Sequence, residues 1–235
     1  MLEYDNNLGA KPFLKWAGGK KQLLTEIEDK FPNEIKSSGK IKKYFEVFVG
    51  GGALFFYLMN HYEVNESYLY DVNKELILTY NVIKNRHKLL IKLLSELQGE
   101  YVQLGQEDRK EFYLNIRKQF NKNVKDFDFD SLGDEQIVRA SQVIFMNKTC
   151  FNGLFRLNKS GEFNVPHGRY KNPLICDDKN IKAVSKTLKN THIINGNYYE
   201  SEDLIDEESL VYLDPHITIY VENEKITAIH GSLVP

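Results

Sequence analysis

The sequence predicts an α/β protein, a mainly parallel sheet with a helical insertion between two parts of it. Three observations carry this. Between Tyr44 and Asp71 a strand, a glycine turn, a helix and a second strand ending in an acid follow one another, which is a βαβ unit. Residues 74–173 are charged and helix-periodic, then irregular. Two short apolar runs return after that stretch, and the second delivers Asp214 and Pro215.

Taken in order, residues 44–49 are aromatic and β-branched and stop at Gly50, Gly51 and Gly52, the pattern of a buried strand. Residues 53–59 read as an apolar helix starting directly off the glycines. Residues 67–70 form a second strand. Asn73 is then an N-cap for a helix with Leu76, Ile77, Tyr80, Ile83 and Leu90 on one face. Amphipathic helices are expected at 107–120 and 134–146. Residues 147–173 lose the helical period and fill with Asn, Gly, Lys, Arg and aromatics. A helix at 179–188, a strand at 192–194 and a strand at 210–213 complete the reading. There is no internal repeat and no low-complexity linker.

The chain has 235 residues, 42% hydrophobic and 27% charged, which excludes disorder and collagen-like repeats. Its net charge of −2 conceals an asymmetry. From Glu200 onward nine acidic residues stand against Lys225, a balance of −8, which leaves +6 on the first 199 residues. Cys150 and Cys176 are too few for a disulfide framework and lack metal-ligand spacing, so isolated thiols and no metal site are expected. The first seven residues are polar and acidic, without a signal-peptide core. The most apolar stretch, 47–59, contains three glycines and is shorter than the ~20 residues of a membrane span. A soluble, cytoplasmic protein is expected.

The turn carrying Phe48, Gly50 and Gly52 has Asp71 nineteen residues after its last glycine. Glycines there let backbone approach a nucleotide, and an acid at the end of the next strand can bind ribose hydroxyls. The full GxGxxG fails because Phe55 occupies the third position, so a tight turn packing helix on sheet is the competing account. Residues 12–20 hold Trp16 and a Gly-Gly-Lys ending at Lys20, but the phosphate-loop pattern fails there. Trp16 could stack on an adenine ring or pack the turn, and Lys20 could hold a ligand carboxylate or simply be solvated. Two such turns in one sheet domain point to a nucleoside-containing ligand.

Residues 147–172 carry five basic side chains and one acid, a balance of +4. Cations supply affinity for phosphates, and Arg or Asn at base edges supplies sequence choice. Phe151 is a candidate to wedge into the gap that a flipped base leaves. A solvated basic loop with an aromatic staple is the alternative.

Four motifs occur in order: residues 12–20, the turn at 48–53, Asp71 with Asn73, and Asn152 to Arg156 followed by residues 161–168. Together they resemble the Dam-type (D12 class) family of adenine-specific DNA N6-methyltransferases, over about residues 11–215. The resemblance implies a Rossmann-like sheet binding S-adenosylmethionine, with an inserted helical DNA-recognition domain. The division it implies is 1–73 with 174–215 for the methyltransferase domain and 74–173 for the insertion. Residues 216–235 would be a separate tail, read from its alternation as a β-hairpin. Family roles would put Trp16, Lys20, Phe48, Gly50, Gly52, Asp71 and Asp214 around the cofactor, and Asp214 with Pro215 at the reacting amine. They would put Phe151, Asn152, Leu154, Arg156, Asn164, Val165, Pro166 and Arg169 on double-stranded DNA with a flipped adenine. The family further implies a GATC-like target and a possible cognate restriction endonuclease that shares the site without binding this chain.

The family's Asp-Pro-Pro-Tyr holds the amine hydrogens on the Asp and a carbonyl, and stacks the aromatic ring on the flipped base. Here the chain reads Asp214, Pro215, His216, Ile217. Losing a stacking partner costs on the order of 1–3 kcal/mol. The family's sheet also needs strands beyond this point, so a truncated sheet with the C-terminal strands missing is expected. Smaller departures are Val47, where a proline is common, and Asn197 before Tyr198, where an acid is. Two function classes therefore stand: a DNA adenine methyltransferase with an altered catalytic end, and a non-catalytic remnant that binds S-adenosylmethionine or DNA.

Overall fold

Strand β1 (Lys40–Glu46) starts four residues earlier than the sequence pattern suggests and stops three residues sooner. Its first half hides behind lysines, with Lys42 paired to Glu208 and Lys43 to Asp206. Val47, Phe48 and Val49 belong to the turn instead. There Val49 N–H donates to Tyr70 O at 2.9 Å and Gly52 N–H to Val49 O at 2.7 Å. The computed structural model describes residues 9–16, 23–122 and 124–214. Lys20, Pro215 and the hairpin expected at 216–235 lie outside them.

Helix α3 (Ala53–His61) leads to β2 (Glu63–Asp71), and later come β3 (Thr191–Asn195) and β4 (Ser209–Tyr212). The four form one parallel sheet in the order β3-β2-β1-β4. Glu46 is level with Leu69 on one side and Tyr212 on the other, and Asp71 is level with Asn195. Register thus brings the ends of all four strands, and the loops that follow them, to one edge of the molecule. Ligands of open parallel sheets bind at such an edge. Two six-residue helices ahead of β1, α1 (Leu24–Asp29) and α2 (Asn33–Ser38), have too few turns to show a period in the sequence.

Helix α4 (Lys74–Gln103) is capped by Asn73, whose side chain accepts from Leu76 N–H at 3.1 Å. All five residues expected on its inner face are buried. The helix kinks at Arg86 (φ −131°), whose guanidinium donates to Leu132 O at 2.9 Å. Helices α5 (Gln106–Asn121) and α6 (Asp134–Thr149) match the expected segments within three residues at each end, and α7 (Asp178–Thr187) does so within one. One hydrophobic cluster takes in Leu54, Leu69, Tyr80, Tyr113, Phe145 and Phe163. Sheet and helical middle therefore share a continuous core, and each fully buried large side chain contributes about 1.5–3 kcal/mol.

A buried ion pair ties α6 to the first turn of α4. Arg139 of α6 donates from Nε to both carboxylate oxygens of Glu75, at 3.0 and 2.9 Å, and from Nη1 to Phe120 O. The rings of Phe120 and Phe127 face the guanidinium at 4.1 and 4.4 Å. Glu75 lies four residues after Asp71, so the insertion is anchored close to the end of β2. Among the described residues no helix is long and apolar enough to cross a membrane, and no cluster of three His, Cys, Asp or Glu side chains could hold a metal ion.

Candidate cofactor and nucleic-acid site

The glycine turn needs its glycines. Gly50 and Gly52 have φ of 48° and 68°, the left-handed region that costs an L-residue about 1–2 kcal/mol. A Cβ at Gly52 would sit 2.6 Å from the Tyr80 hydroxyl, and one at Gly50 would sit 2.7 Å from Trp16 Cδ1. Tyr80 is fully buried and donates its O–H to Gly50 O at 3.2 Å, so the turn is held from below by α4.

Asp71 holds the turn from the side. Its Oδ2 accepts from Gly50 N–H at 3.0 Å and its Oδ1 from Asn73 N–H at 2.9 Å. Its carbonyl accepts from Asn195 Nδ2 at 2.9 Å, which ties in the end of β3. Burial raises its carboxyl above the ordinary aspartate value, while the amides of Asn73, Gly50 and Val72 pull it back. Three amides leave part of the carboxylate's acceptor capacity for a ligand.

Two more acids follow Asp71 along the sheet edge, at the ends of β1 and β4. Glu46 closes β1, is buried, and accepts on Oε2 from Tyr44 O–H at 2.8 Å and Phe55 N–H at 3.1 Å. Burial pushes its carboxyl up to about 8, with Asp214 and Asp71 adding to the rise. Asp214 follows β4 and is half-buried, and it accepts a hydrogen bond from the Tyr212 hydroxyl. Phe48 and Tyr198 form an aromatic wall beside these acids, with ring centroids 6.0 Å apart. Asn197 caps the short helix Tyr198–Leu204, accepting from Tyr198 N–H. Trp16 packs the turn: its ring lies against Gly50 and stacks on Phe155 at 5.3 Å.

The expected DNA segment is a hairpin-like loop. Cys150 bridges His167 and Leu157 bridges Phe163, both antiparallel, with a tip closed by Asn158, whose Oδ1 accepts from Ser160 and Glu162 N–H. The loop is laid on α5. Tyr113 O–H and Arg117 Nη1 both donate to Val165 O, and Asn121 exchanges two hydrogen bonds with the Phe163 backbone. His167 meets the Tyr101 hydroxyl at 2.6 Å. Phe151 is 52% exposed, an unusual outlay for a ring of that size, and Asn152, Leu154, Arg156, Asn164, Pro166 and Arg169 are exposed with it. Arg156 Nε donates to Asn164 Oδ1 at 2.7 Å, so the two extend from the surface as a pair. Val165 departs from the expectation. Its side chain is 1% exposed and turns into the core, on the side of this extended segment opposite Asn164 and Pro166.

Sequence reasoning did not find Glu46, Tyr198, Tyr212, Asn147 or Phe155. Glu46 carried a signal, an acid inside an apolar strand. Asn147 gave no local sign of its clasp, since Lys15 lies 132 residues away.

Comparison with known proteins matches this arrangement to a family. The model of the D12 class N6 adenine-specific DNA methyltransferases matches residues 16–225, ten residues past the last motif read from the sequence. The type II methyltransferase M.MjaIII of Methanocaldococcus jannaschii is 52% identical over 205 residues, covering 87% of this chain and 68% of that protein. The type II methyltransferase M1.LlaDCHI of Lactococcus lactis is 36% identical over 212 residues, covering 89% and 66%. The DNA adenine methylase of Escherichia coli is 31% identical over 226 residues, covering 94% and 69%. The chain thus spans about two thirds of the length of these relatives.

Proposed function

We propose a specific reaction for this chain, which belongs to the D12 class N6 adenine-specific DNA methyltransferases: transfer of a methyl group from S-adenosylmethionine to the N6 amine of an adenine in a GATC-like duplex site. The observation that carries it is the placing of two carboxylates, Asp71 and Asp214, at the strand ends on either side of buried Glu46, beside an exposed basic loop. A cofactor with a sulfonium and an ammonium group matches that acidic edge, and the aromatic wall of Phe48 and Tyr198 suits a purine ring. The chemistry it would supply is an electrophilic methyl group.

In this reading Asp71 takes the ribose hydroxyls on the lone pairs its backbone bonds leave, and Trp16, Phe48, Gly50 and Gly52 shape the floor. Asp214 accepts a hydrogen bond from the target amine and, with Pro215, orients its lone pair for in-line attack. Held there, the cofactor would supply its methyl group from the sulfonium, which would leave as a thioether, and the methylated amine would give up one proton to solvent. Lys20 would neutralise the cofactor carboxylate. The exposed residues of 151–169 contact a duplex with its adenine flipped, Phe151 filling the gap. Residues 74–173 act as the recognition insertion, and 1–73 with 174–215 as the cofactor domain.

One observation favours a second reading. Where a ring would stack on the flipped base the chain carries His216 and Ile217, which suits a protein that binds both ligands and transfers methyl groups slowly or not at all. Tritiated S-adenosylmethionine and two duplexes, with and without GATC, separate the two. Label in N6-methyladenine of the GATC duplex alone supports the enzyme. Binding of both ligands without label supports the remnant, and binding of neither removes both readings.

A further inference from the structure

Residues 10–16 are threaded between the cofactor edge and the recognition loop, and two asparagines clasp them. Asn180 of α7 accepts from Lys11 N–H and donates to Lys11 O, each at 3.0 Å. Asn147 of α6, 1% exposed, does the same for Lys15 at 2.9 Å each way and also donates to Gly153 O at 2.8 Å. The backbone at Lys15 is therefore fixed to the base of the recognition loop. One residue on, the Trp16 ring lies between two partners. Its edge abuts Gly50, and its face stacks on Phe155 with an interplanar angle of 21°.

Phe155 stands between Leu154 and Arg156, two exposed residues of the DNA face, and its ring packs edge-on against buried Phe163 at 5.5 Å. Phe155 is thus joined through the backbone to two exposed residues of the loop, and its ring is set against the same indole that abuts the glycine turn. Aromatic pairs of this geometry are worth about 0.5–1.5 kcal/mol beyond their burial, enough to bias one ring between two positions.

We propose that Phe155 is a positioning residue, through which the recognition loop sets Trp16 against the glycine turn so that DNA and cofactor raise each other's affinity. It rests on the reading that these two ligands bind at these two places. Linkage makes the effect reciprocal: the factor by which duplex tightens the cofactor equals the factor by which cofactor tightens the duplex.

The test uses the full chain, S-adenosylhomocysteine as a non-reacting probe, and a GATC duplex. Trp16 is the single tryptophan among 235 residues, so its emission reports on the stack directly. In the wild type, saturating duplex should lower the probe's Kd by about tenfold, within the usual range of such couplings. Phe155→Leu should bind each ligand alone within about threefold of wild type yet show coupling below about twofold, and Phe155→Tyr should restore it. Phe155→Met serves if the leucine variant fails to fold. Coupling in Phe155→Leu or Phe155→Met equal to wild type would overturn the proposal. So would a wild type that binds both ligands independently, which leaves the methyltransferase reading intact. A wild type that binds neither ligand overturns that reading and this inference together.

Discussion

The cofactor edge and the recognition loop are built on opposite plans. At the edge, side chains are spent on holding main chain: the Asp71 carboxylate takes Gly50 N–H and Asn73 N–H, and Tyr80 props the Gly50 carbonyl. In the loop, main chain is held so that side chains stand free. Tyr113, Arg117 and Asn121 bind the backbone of Phe163 and Val165, leaving Asn164 and Pro166 on the surface. A substitution at the edge therefore disturbs structure and binding at once. One at an exposed position of the loop changes recognition and leaves the fold intact.

The largest expected effect lies outside both regions, at the buried ion pair that ties α6 to the first turn of α4. Arg139→Ala strands the buried Glu75 carboxylate and should cost about 3–5 kcal/mol in urea denaturation. A loss below about 1 kcal/mol, the range of an exposed pair, would mean that this pair does not hold the two helices together. At the edge itself, Gly52→Ala adds left-handed strain of about 1–2 kcal/mol to the clash with Tyr80. That should lower Tm by at least about 3–6 °C and weaken the probe cofactor.

The loop should respond in recognition alone. Arg156→Ala should leave Tm unchanged and lose about 1–3 kcal/mol of preference for the target over a scrambled duplex. Lys159→Ala, at the loop tip, should weaken both duplexes equally and lower the salt slope by about one. Equal losses of preference in the two variants would erase the distinction between reading and anchoring.

The gentlest test is a pH profile of the edge. Folding raises the Glu46 carboxyl from the ordinary glutamate range to about 8, so between those limits the folded chain holds a proton that the unfolded chain has released. Stability from this group is full below the unfolded value and falls as pH rises towards 8, by at most about 1.4 kcal/mol per pH unit. Glu46→Gln should flatten the slope between pH 5 and 8. An unchanged slope would place the titration elsewhere.

The two regions were also unequally legible in the sequence. The glycine turn, Asp71 and the Asn73 cap were readable because turn and cap chemistry restricts residue type locally. The long helices were readable from their period, and the loop from its loss of period and its charge. The start of β1 was not, since Lys40, Lys42 and Lys43 lie at the rim of the sheet where ion pairs replace burial. The Asn147 clasp, the Trp16–Phe155 stack and the inward turn of Val165 depend on segments far apart in the chain. A single sequence carries no local trace of such contacts. Glu46 falls between these cases, since an acid among aromatics was visible but its partners Tyr44 O–H and Phe55 N–H were not.

The contrast between the regions reduces to one calorimetric experiment, titration of S-adenosylhomocysteine into wild type, Asp71→Ala and Arg156→Ala. The wild type should bind, Asp71→Ala should bind at least about tenfold more weakly for the loss of a charged hydrogen-bonding partner, and Arg156→Ala should match the wild type. Undiminished binding by Asp71→Ala, or an equal loss in Arg156→Ala, would contradict the assignment of the cofactor to the sheet edge.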